Sequence, residues 1–372
     1  MTALGIGVLG CGNISASYLR LAPMFKGLTM RAVADLNPDV AAARAAEFGV
    51  EARSIDALLA SDDIDVVINL TIPAAHFQVT SDILRAGKHA YSEKPVVLTL
   101  DEGKALQDLA AAHGLRVGSA PDTFLGASHQ QARAMIDAGE IGKIGSGTAH
   151  IMGRGMEHWH PNPDFFFLPG AGPVLDMGPY YVTNLIQLLG PVAQVQAMTS
   201  IPRKTRTILS ESRKGEEIAV KTPTSVHGLL EFASGAVVTL GASWDVRAHR
   251  HGHMELYGQD GTLFLPDPNF FGGDLEVAFD EDKVETLAPW DHPFGVANDG
   301  VQANYRAAGL ADMAAGIAED RAHRCSLDLA VHAVDVLTGL LKSGDTGAAV
   351  QMSTTCPQPS ALGPEAAKAL LA

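Results

Sequence analysis

The stretch Ile6-Gly7-Val8-Leu9-Gly10-Cys11-Gly12-Asn13-Ile14-Ser15 constrains the fold more than any other. Ile6, Val8 and Leu9 read as a short buried strand. Gly10 and Gly12 turn the chain tightly, and a helical pattern begins at Ile14. Strand, glycine turn and helix in this order form the G-x-G-x-x-G/A fingerprint, with Ser15 in the last position. Gly10 permits the turn, and Gly12 lets a pyrophosphate approach the backbone. Ser15 is small enough for helix and strand to pack closely, although Gly or Ala is usual there. The free amides at the helix start form an anion site. A second apolar strand, residues 30–34, ends in Asp35, roughly 20 residues beyond the fingerprint, where a carboxylate binds the adenosine ribose. A carboxylate there accepts hydrogen bonds from ribose hydroxyls and repels a 2′-phosphate. The expected cofactor is therefore NAD, with NADP disfavoured.

A chain of 372 residues exceeds what one hydrophobic core usually holds, so two domains are expected. Charged residues make up 19% and hydrophobic ones 47%, the balance of a globular protein. No apolar run is long enough to span a bilayer. The first strand begins almost at the N-terminus, which gives the expectation of no signal peptide. Cys11, Cys325 and Cys356 show no metal or redox spacing. These features together predict a cytoplasmic protein. The formal net charge of −15, with both parts of the chain acidic, argues against nucleic-acid binding.

The first 120 residues alternate strand and helix patterns. Asn37 caps a helix that has Pro38 in its first turn and Gly49 beyond its end. Residues 64–70 form a buried strand, ended by Thr71-Ile72-Pro73, and a helix covers about 76–86. Residues 88–91 are a further strand, leading into Glu93-Lys94-Pro95. Thr99-Leu100-Asp101-Glu102 is a capping box that opens a helix, Gly114 closes it, and residues 116–119 are the last strand. Such alternation predicts an α/β Rossmann domain, a doubly wound parallel sheet, over residues 1–122. The pattern then changes. A helix over about 127–138 precedes strand patterns at 144–152, 192–201, 225–232, 236–246, 254–257 and 262–265. Ser234-Gly235 and Asp260-Gly261 supply hairpin turns. Helices are expected at 180–189, 299–319 and 327–342. Residues 123–372 thus read as an α+β domain with a large, mostly antiparallel sheet that binds substrate. A free sheet face there suits a subunit interface, so a homodimer or homotetramer is expected.

Two segments carry chemistry. Lys94 ends a parallel strand, where a nicotinamide ring lies in such folds, and Pro95 stiffens its turn. In Gly170-Ala171-Gly172-Pro173-Val174-Leu175-Asp176-Met177-Gly178-Pro179-Tyr180-Tyr181, a Gly-rich loop delivers Asp176 and Tyr180. If the stretch is already helical, both share a face. Otherwise Asp176 caps the helix and Tyr180 is a half-buried aromatic. His158-Trp159-His160-Pro161 is a candidate wall of the substrate pocket, with Trp159 offering an apolar face and His160 a polar one. Alternating His249, His251 and His253 would share a face in a strand, but no Asp, Glu or Cys accompanies them, so no metal is assigned.

The combination of Gly10-Cys11-Gly12, the Ala86-Gly87-Lys88-His89 lead-in to Glu93-Lys94-Pro95, and Asp176-x-Gly178-x-Tyr180 resembles the Gfo/Idh/MocA family: glucose–fructose oxidoreductase, inositol dehydrogenase and the rhizopine-catabolism oxidoreductases. The resemblance covers nearly the whole chain. It implies NAD(P)-dependent oxidation or reduction of a sugar, cyclitol or related polyol. The family's Glu-Lys-Pro lysine carries over to Lys94 and its substrate-binding Asp to Asp176. Most members have His where this chain has Tyr180, and many have Asp where it has Thr183. Glucose–fructose oxidoreductase and the dimeric dihydrodiol dehydrogenases have Tyr, as here.

The expected cofactor contacts are Gly10, Gly12, Asn13, Ile14, Asp35, Thr71, Pro73, His76, Glu93 and Lys94. Lys94, Trp159, His160, Asp176 and Tyr180 are the expected substrate contacts. For catalysis, Lys94 supplies positioning and charge, Tyr180 transfers the proton, and Asp176 is the alternative proton acceptor. Two other functions fit the same features: an NAD-dependent glycoside hydrolase using transient hydride transfer, and a nicotinamide-sensing protein without turnover.

Overall fold

The structure, a computed structural model, describes residues 3–372. Its first unit is built from β1 (Leu4–Leu9), α1 (Asn13–Leu21), β2 (Leu28–Ala34), α2 (Pro38–Phe48), β3 (Glu51–Ala52), α3 (Ile55–Leu59), β4 (Val66–Asn69), α4 (Pro73–Arg85), β5 (His89–Ser92), α5 (Leu100–His113) and β6 (Val117–Ser119). The six strands are parallel in the order β3-β2-β1-β4-β5-β6. Ile6 and Val8 enter the core on one side of β1 and Leu9 the core on the other, so helices cover both faces. The strand order reverses at β1, and ligands bind at that crevice in open parallel sheets.

The helix signals act as their chemistry requires. Asn37 Oδ1 accepts from the Asp39 amide at 3.0 Å, and Gly49 ends α2 in the left-handed region at φ +68°. Thr99 and Glu102 form the reciprocal capping box of α5. Helix α4 starts at Pro73, earlier than the expected 76, because proline suits a first turn, where its missing N–H costs nothing.

The second unit contains α6 (Ala127–Asp137), β7 (Ile144–Met152), α7 (Gly172–Leu189), β8 (Val192–Ser200), β9 (Thr205–Thr207), β10 (Glu217–Ala219), β11 (Ser225–Phe232), β12 (Val237–Ser243), β13 (Met254–Gly258), β14 (Thr262–Leu265), β15 (Glu276–Asp280), β16 (Lys283–Thr286), α8 (Ala308–Glu319), α9 (Leu327–Thr346), β17 (Val350–Gln351) and α10 (Pro364–Leu370). Nine strands form one sheet in the order β16-β15-β14-β13-β7-β12-β11-β8-β17, and β9 pairs with β10 apart from it. Within the large sheet only β7 and β12 run parallel. Along β11, Val226, Leu230 and Phe232 are buried while His227, Leu229 and Glu231 are exposed. Each fully buried aliphatic side chain contributes on the order of 2 kcal/mol.

Helix α9 joins the two units. Leu327, Val331 and Val334 pack with Val96, Val97 and Leu106 behind the parallel sheet. Further along, Val336, Leu337 and Leu340 pack in the larger core with the second sheet. Gly178 of α7 sits so close to α9 that a Cβ there would lie 2.5 Å from Leu337 Cδ2. The C-terminus returns to the first unit, where the Lys26 amide donates to Leu370 O and the Ala372 amide to Met24 O. No helix among the described residues is long and apolar enough to cross a membrane.

Three expectations need correction. Helix α7 begins at Gly172 rather than at 180, because Pro173 suits its first turn and Pro179 is accommodated inside the helix. Residues 299–307 are not helical; α8 starts at Ala308, after Ala307 at φ +86°. His249, His251 and His253 lie in irregular chain before β13. There His251 stacks on His150 with ring centroids 4.0 Å apart, and His249 stacks on His251.

Candidate active site

The cofactor side starts at the end of β1. Gly10 adopts φ +98°, and a Cβ on it would lie 2.7 Å from Leu70 O, so only glycine fits. A Cβ on Gly12 would meet nothing within 4 Å. The turn therefore leaves open space in front of the α1 N-terminus, which has no side-chain cap and no acidic residue in its first turn. That vacancy, with the amides around Asn13 and Ile14, suits a pyrophosphate. Ser15 Oγ donates to Gly12 O at 2.6 Å and tightens the turn from behind.

Asp35 closes the other end. Its Oδ2 accepts from the Cys11 amide at 2.8 Å and its Oδ1 from the Asn37 amide at 2.9 Å. The carboxylate is thus fixed at the end of β2, beside the glycine turn. A cavity of about 420 Å³ runs from Gly10, Gly12 and Asp35 to Thr71 and Ile72. Leu36 and Ile72 on its rim are 91% and 69% exposed, apolar surface that a nucleobase would cover. A dinucleotide fits these residues. Burial foremost pushes the Cys11 thiol in this turn up to about 11, followed by the Asp35 charge.

His76 lies behind this groove. Its Nδ1 is 2.7 Å from Pro95 O and its Nε2 is 3.0 Å from Thr71 O. The ring is 1% exposed, and burial holds its pKa below the usual value although both carbonyls favour the imidazolium. It ties the chain after β4 to the chain after β5, so its effect on a ligand passes through those two segments. Asn69 supports the same loop, accepting from the Thr71 hydroxyl at 2.6 Å and donating to His76 O.

The second centre joins β5 to α7. Lys94 Nζ donates to Asp176 O at 2.6 Å and to Asp176 Oδ1 at 3.0 Å, and lies 5.2 Å from the Tyr180 ring centroid. Because the helix already includes residue 172, Asp176 and Tyr180 share one face of it, and neither caps it. Burial opposes the Lys94 ammonium, but Asp176 foremost, then Tyr180 and Glu93, outweigh it and hold its pKa well above the usual value. Lys94 is therefore held in its ammonium form. No described residue hydrogen-bonds the Tyr180 hydroxyl, and that oxygen is not among the fully buried unpartnered atoms. It is available to a ligand.

Glu93 is turned away from this opening. Its Oε1 accepts from Arg306 Nη1 at 2.9 Å and from Tyr18 Oη at 3.1 Å, and its Oε2 accepts from the Lys94 amide. Burial would raise its pKa, but Arg306 foremost and then Lys94 keep it below the usual range. Asp122 fixes the chain beside Arg306, accepting from the amides of Ala307 and Gly309. Tyr18, Asp122 and Arg306 were absent from the sequence-based expectations. Arg306 did carry one signal: a cation immediately before an apolar helix, where the helix dipole disfavours it.

Beside α7, on the face that carries Met177 and Tyr181, lies a cavity of about 260 Å³ with Met152, Trp159, Met177, Tyr181, His253 and Asp267 in its wall. Trp159 is 57% exposed. His160 packs against Phe165 and Phe166, and its Nδ1 accepts from the Asn162 amide; it supports the Trp159 turn from behind. Tyr181, also unforeseen, has its hydroxyl 3.1 Å from His253 Nδ1 and donates to Asp267 Oδ1 at 3.4 Å.

Comparison with known proteins bears on this arrangement. Residues 4–120 match the family described as an oxidoreductase family with an NAD-binding Rossmann fold, and residues 129–264 match the GFO/IDH/MocA C-terminal domain. A levoglucosan dehydrogenase of Pseudarthrobacter phenanthrenivorans is 27% identical over 77% of this chain and 78% of its own length. A dTDP-3,4-didehydro-2,6-dideoxy-alpha-D-glucose 3-reductase of Streptomyces violaceoruber is 32% identical over 71% of this chain and 72% of its own. The crystal structure of an NAD-binding oxidoreductase from Klebsiella pneumoniae superposes with a TM-score of 0.80 at 23% identity, covering 95% of this chain and 99% of that one. With the glycine turn, Asp35 and the Lys94–Asp176 contact set in that fold, the chain belongs to the Gfo/Idh/MocA family of NAD-binding oxidoreductases.

Proposed function

We propose that this protein interconverts a hydroxyl and a keto group on a sugar, cyclitol or related polyol, using NAD. The observation that carries the reading is the meeting of Lys94, Asp176 and Tyr180 at the carboxyl end of β5. The names of the two relatives, one a dehydrogenase of an anhydrosugar and one a reductase of a keto sugar, support the substrate class.

Gly10, Gly12, Asn13, Ile14 and Asp35 would hold the dinucleotide, with Thr71 and Pro73 along its side. When bound, NAD supplies the hydride acceptor or donor. The protein's part is orientation and proton handling. Asp176 accepts a hydrogen bond from a substrate hydroxyl and orients the ring. Lys94 places a fixed positive charge beside the reacting oxygen, where negative charge develops. Tyr180 transfers the proton at that oxygen.

The test is a panel of sugars and cyclitols offered with NAD, following NADH absorbance, in native protein and in Tyr180→Phe. Turnover on at least one polyol, lost in the variant, is the expected result. No NADH from any member would refute the reading.

A further inference from the structure

Next to the Trp159–Tyr181 cavity is a second one of about 330 Å³. The two share Arg154, His158 and Trp244 in their walls, so they adjoin. The second cavity differs from the rest of this acidic molecule in its charge. Arg154, Arg203, Arg206 and Arg247 line it against only Glu157 and Asp245, in a chain of formal net charge −15.

Both carboxylates pair with one arginine, while Glu157 Oε2 is buried without a hydrogen-bond partner. Arg206, its side chain 1% exposed, donates to Glu157 Oε1 at 2.8 Å and to Asp245 Oδ1 at 2.7 Å, and also to the carbonyls of Arg154 and Trp244. Asp245 Oδ2 accepts from the Thr224 hydroxyl at 2.6 Å. Arg203, half exposed, reaches Asp245 only at 3.8 Å. Among the described residues, the guanidinium groups of Arg154 and Arg247 have no carboxylate within ion-pair distance. Arg206 thus holds the floor of the cavity together, and uncompensated positive charge stands around it.

We propose that this cavity is an anion subsite. It takes a carboxylate or phosphate carried by the substrate, whose carbinol end lies toward Asp176 and Tyr180. Arg154 and Arg247 contact the anion, and Arg206 positions the chain that presents them. Planar guanidinium forks match the paired oxygens of a carboxylate or phosphate. The proposal rests on the oxidoreductase reading above and narrows its substrate to acidic sugars.

The experiment uses NAD-loaded protein and four sugars: glucose, glucuronate, glucose 1-phosphate and glucose 6-phosphate. Calorimetry measures binding of each sugar, and of inorganic phosphate, in native protein, Arg154→Gln and Arg247→Gln; kcat/KM is measured alongside. An anionic sugar should bind at least tenfold more tightly than glucose. Each substitution should cut that advantage roughly tenfold, the scale of one charge-assisted hydrogen bond. The carboxylate and phosphate arms distinguish the two sources of the anion. Equal binding of glucose and the anionic sugars, or equal loss for all of them in Arg247→Gln, would overturn the subsite. Because binding is read without turnover, the two proposals fail separately. Arginine-dependent anion binding with no NADH formed supports the subsite and counts against the redox reading. NADH from neutral sugars without anion binding does the reverse.

Discussion

Lys94 Nζ lies 3.0 Å from Asp176 Oδ1 and 2.6 Å from the main-chain oxygen of the same residue. The lysine leaves the end of a strand in the parallel sheet, and the aspartate sits on a helix of the second unit, so one ammonium joins the two. Pro179 loosens this turn of helix by withholding the N–H that Leu175's carbonyl would otherwise accept. Both side chains of the pair are largely buried, at 16% and 20% exposure. Removing one partner therefore leaves the other charge poorly compensated.

Lys94→Met should lower kcat/KM by roughly a hundredfold, the usual scale for losing an electrostatic contact to the reacting oxygen. NAD binding should change little, because the glycine turn and Asp35 lie elsewhere in the groove. Asp176→Asn keeps a hydrogen-bond acceptor for Lys94 and should chiefly raise KM. Steady-state kinetics with NAD titrated by fluorescence checks both. A Lys94→Met enzyme with unchanged kcat/KM would refute the assignment.

Tyr180→Phe removes one hydroxyl and keeps the ring that packs under Lys94. The rate of alcohol oxidation should fall roughly a hundredfold or more, the scale for losing a general base, while folding and NAD affinity hold. If Tyr180→Phe instead raises KM and spares kcat, Asp176 is the proton acceptor.

The parallel half of the molecule was legible because each βα unit carries its own local punctuation. Asn37, Pro38 and Gly49, then Thr99, Glu102 and Gly114, each act within a few residues of their position in the chain. The Lys94–Asp176–Tyr180 meeting was foreseen through strand-end geometry and the family motif. Other elements left little trace. Strand β16 is exposed along its length, so it shows no buried alternation, and β3 and β17 are two residues each. The start of α7 was obscured by its glycines and prolines, which usually signal a loop. The Glu93–Arg306 pair spans 213 positions and is set by tertiary packing alone, beyond the reach of any local pattern.

Asp35 should decide between the two nicotinamide cofactors. Its carboxylate is held by the Cys11 and Asn37 amides at the end of β2, where a 2′-phosphate would meet its charge. Native protein should prefer NAD, and Asp35→Ser should shift the ratio of kcat/KM toward NADP by at least roughly tenfold, one charge contact. Arg44 Nη2 lies 3.5 and 3.4 Å from the carbonyls of Cys11 and Gly12, near enough to pair with that phosphate once Asp35 is gone. Arg44→Ala in the Asp35→Ser background should then remove the gain. A native preference for NADP would contradict this account.

Stability against acid should be governed by buried histidines, with one aspartate working against them. His129 is fully buried, with Nε2 donating to Phe270 O and Nδ1 accepting from Asn184. Burial foremost lowers its pKa to about 4, against about 6.5 in an unfolded chain. Between those values the unfolded chain binds a proton that the native one refuses. The stabilisation is complete above about 6.5 and is lost as pH falls toward 4, by on the order of 3 kcal/mol for His129 alone. Burial lowers the pKa of His76 and His332 as well, so they act in the same direction. Asp122 opposes them. Burial pushes its carboxyl up to about 6, above the unfolded value near 3.9, so native protein takes up this proton first and gains stability as pH falls through 6. Urea midpoints at pH 7 and pH 5 should therefore fall moderately in the native protein. Asp122→Asn removes the opposing group and should steepen the fall, whereas His129→Gln should flatten it. Equal pH dependence in all three proteins would show that neither group controls acid stability.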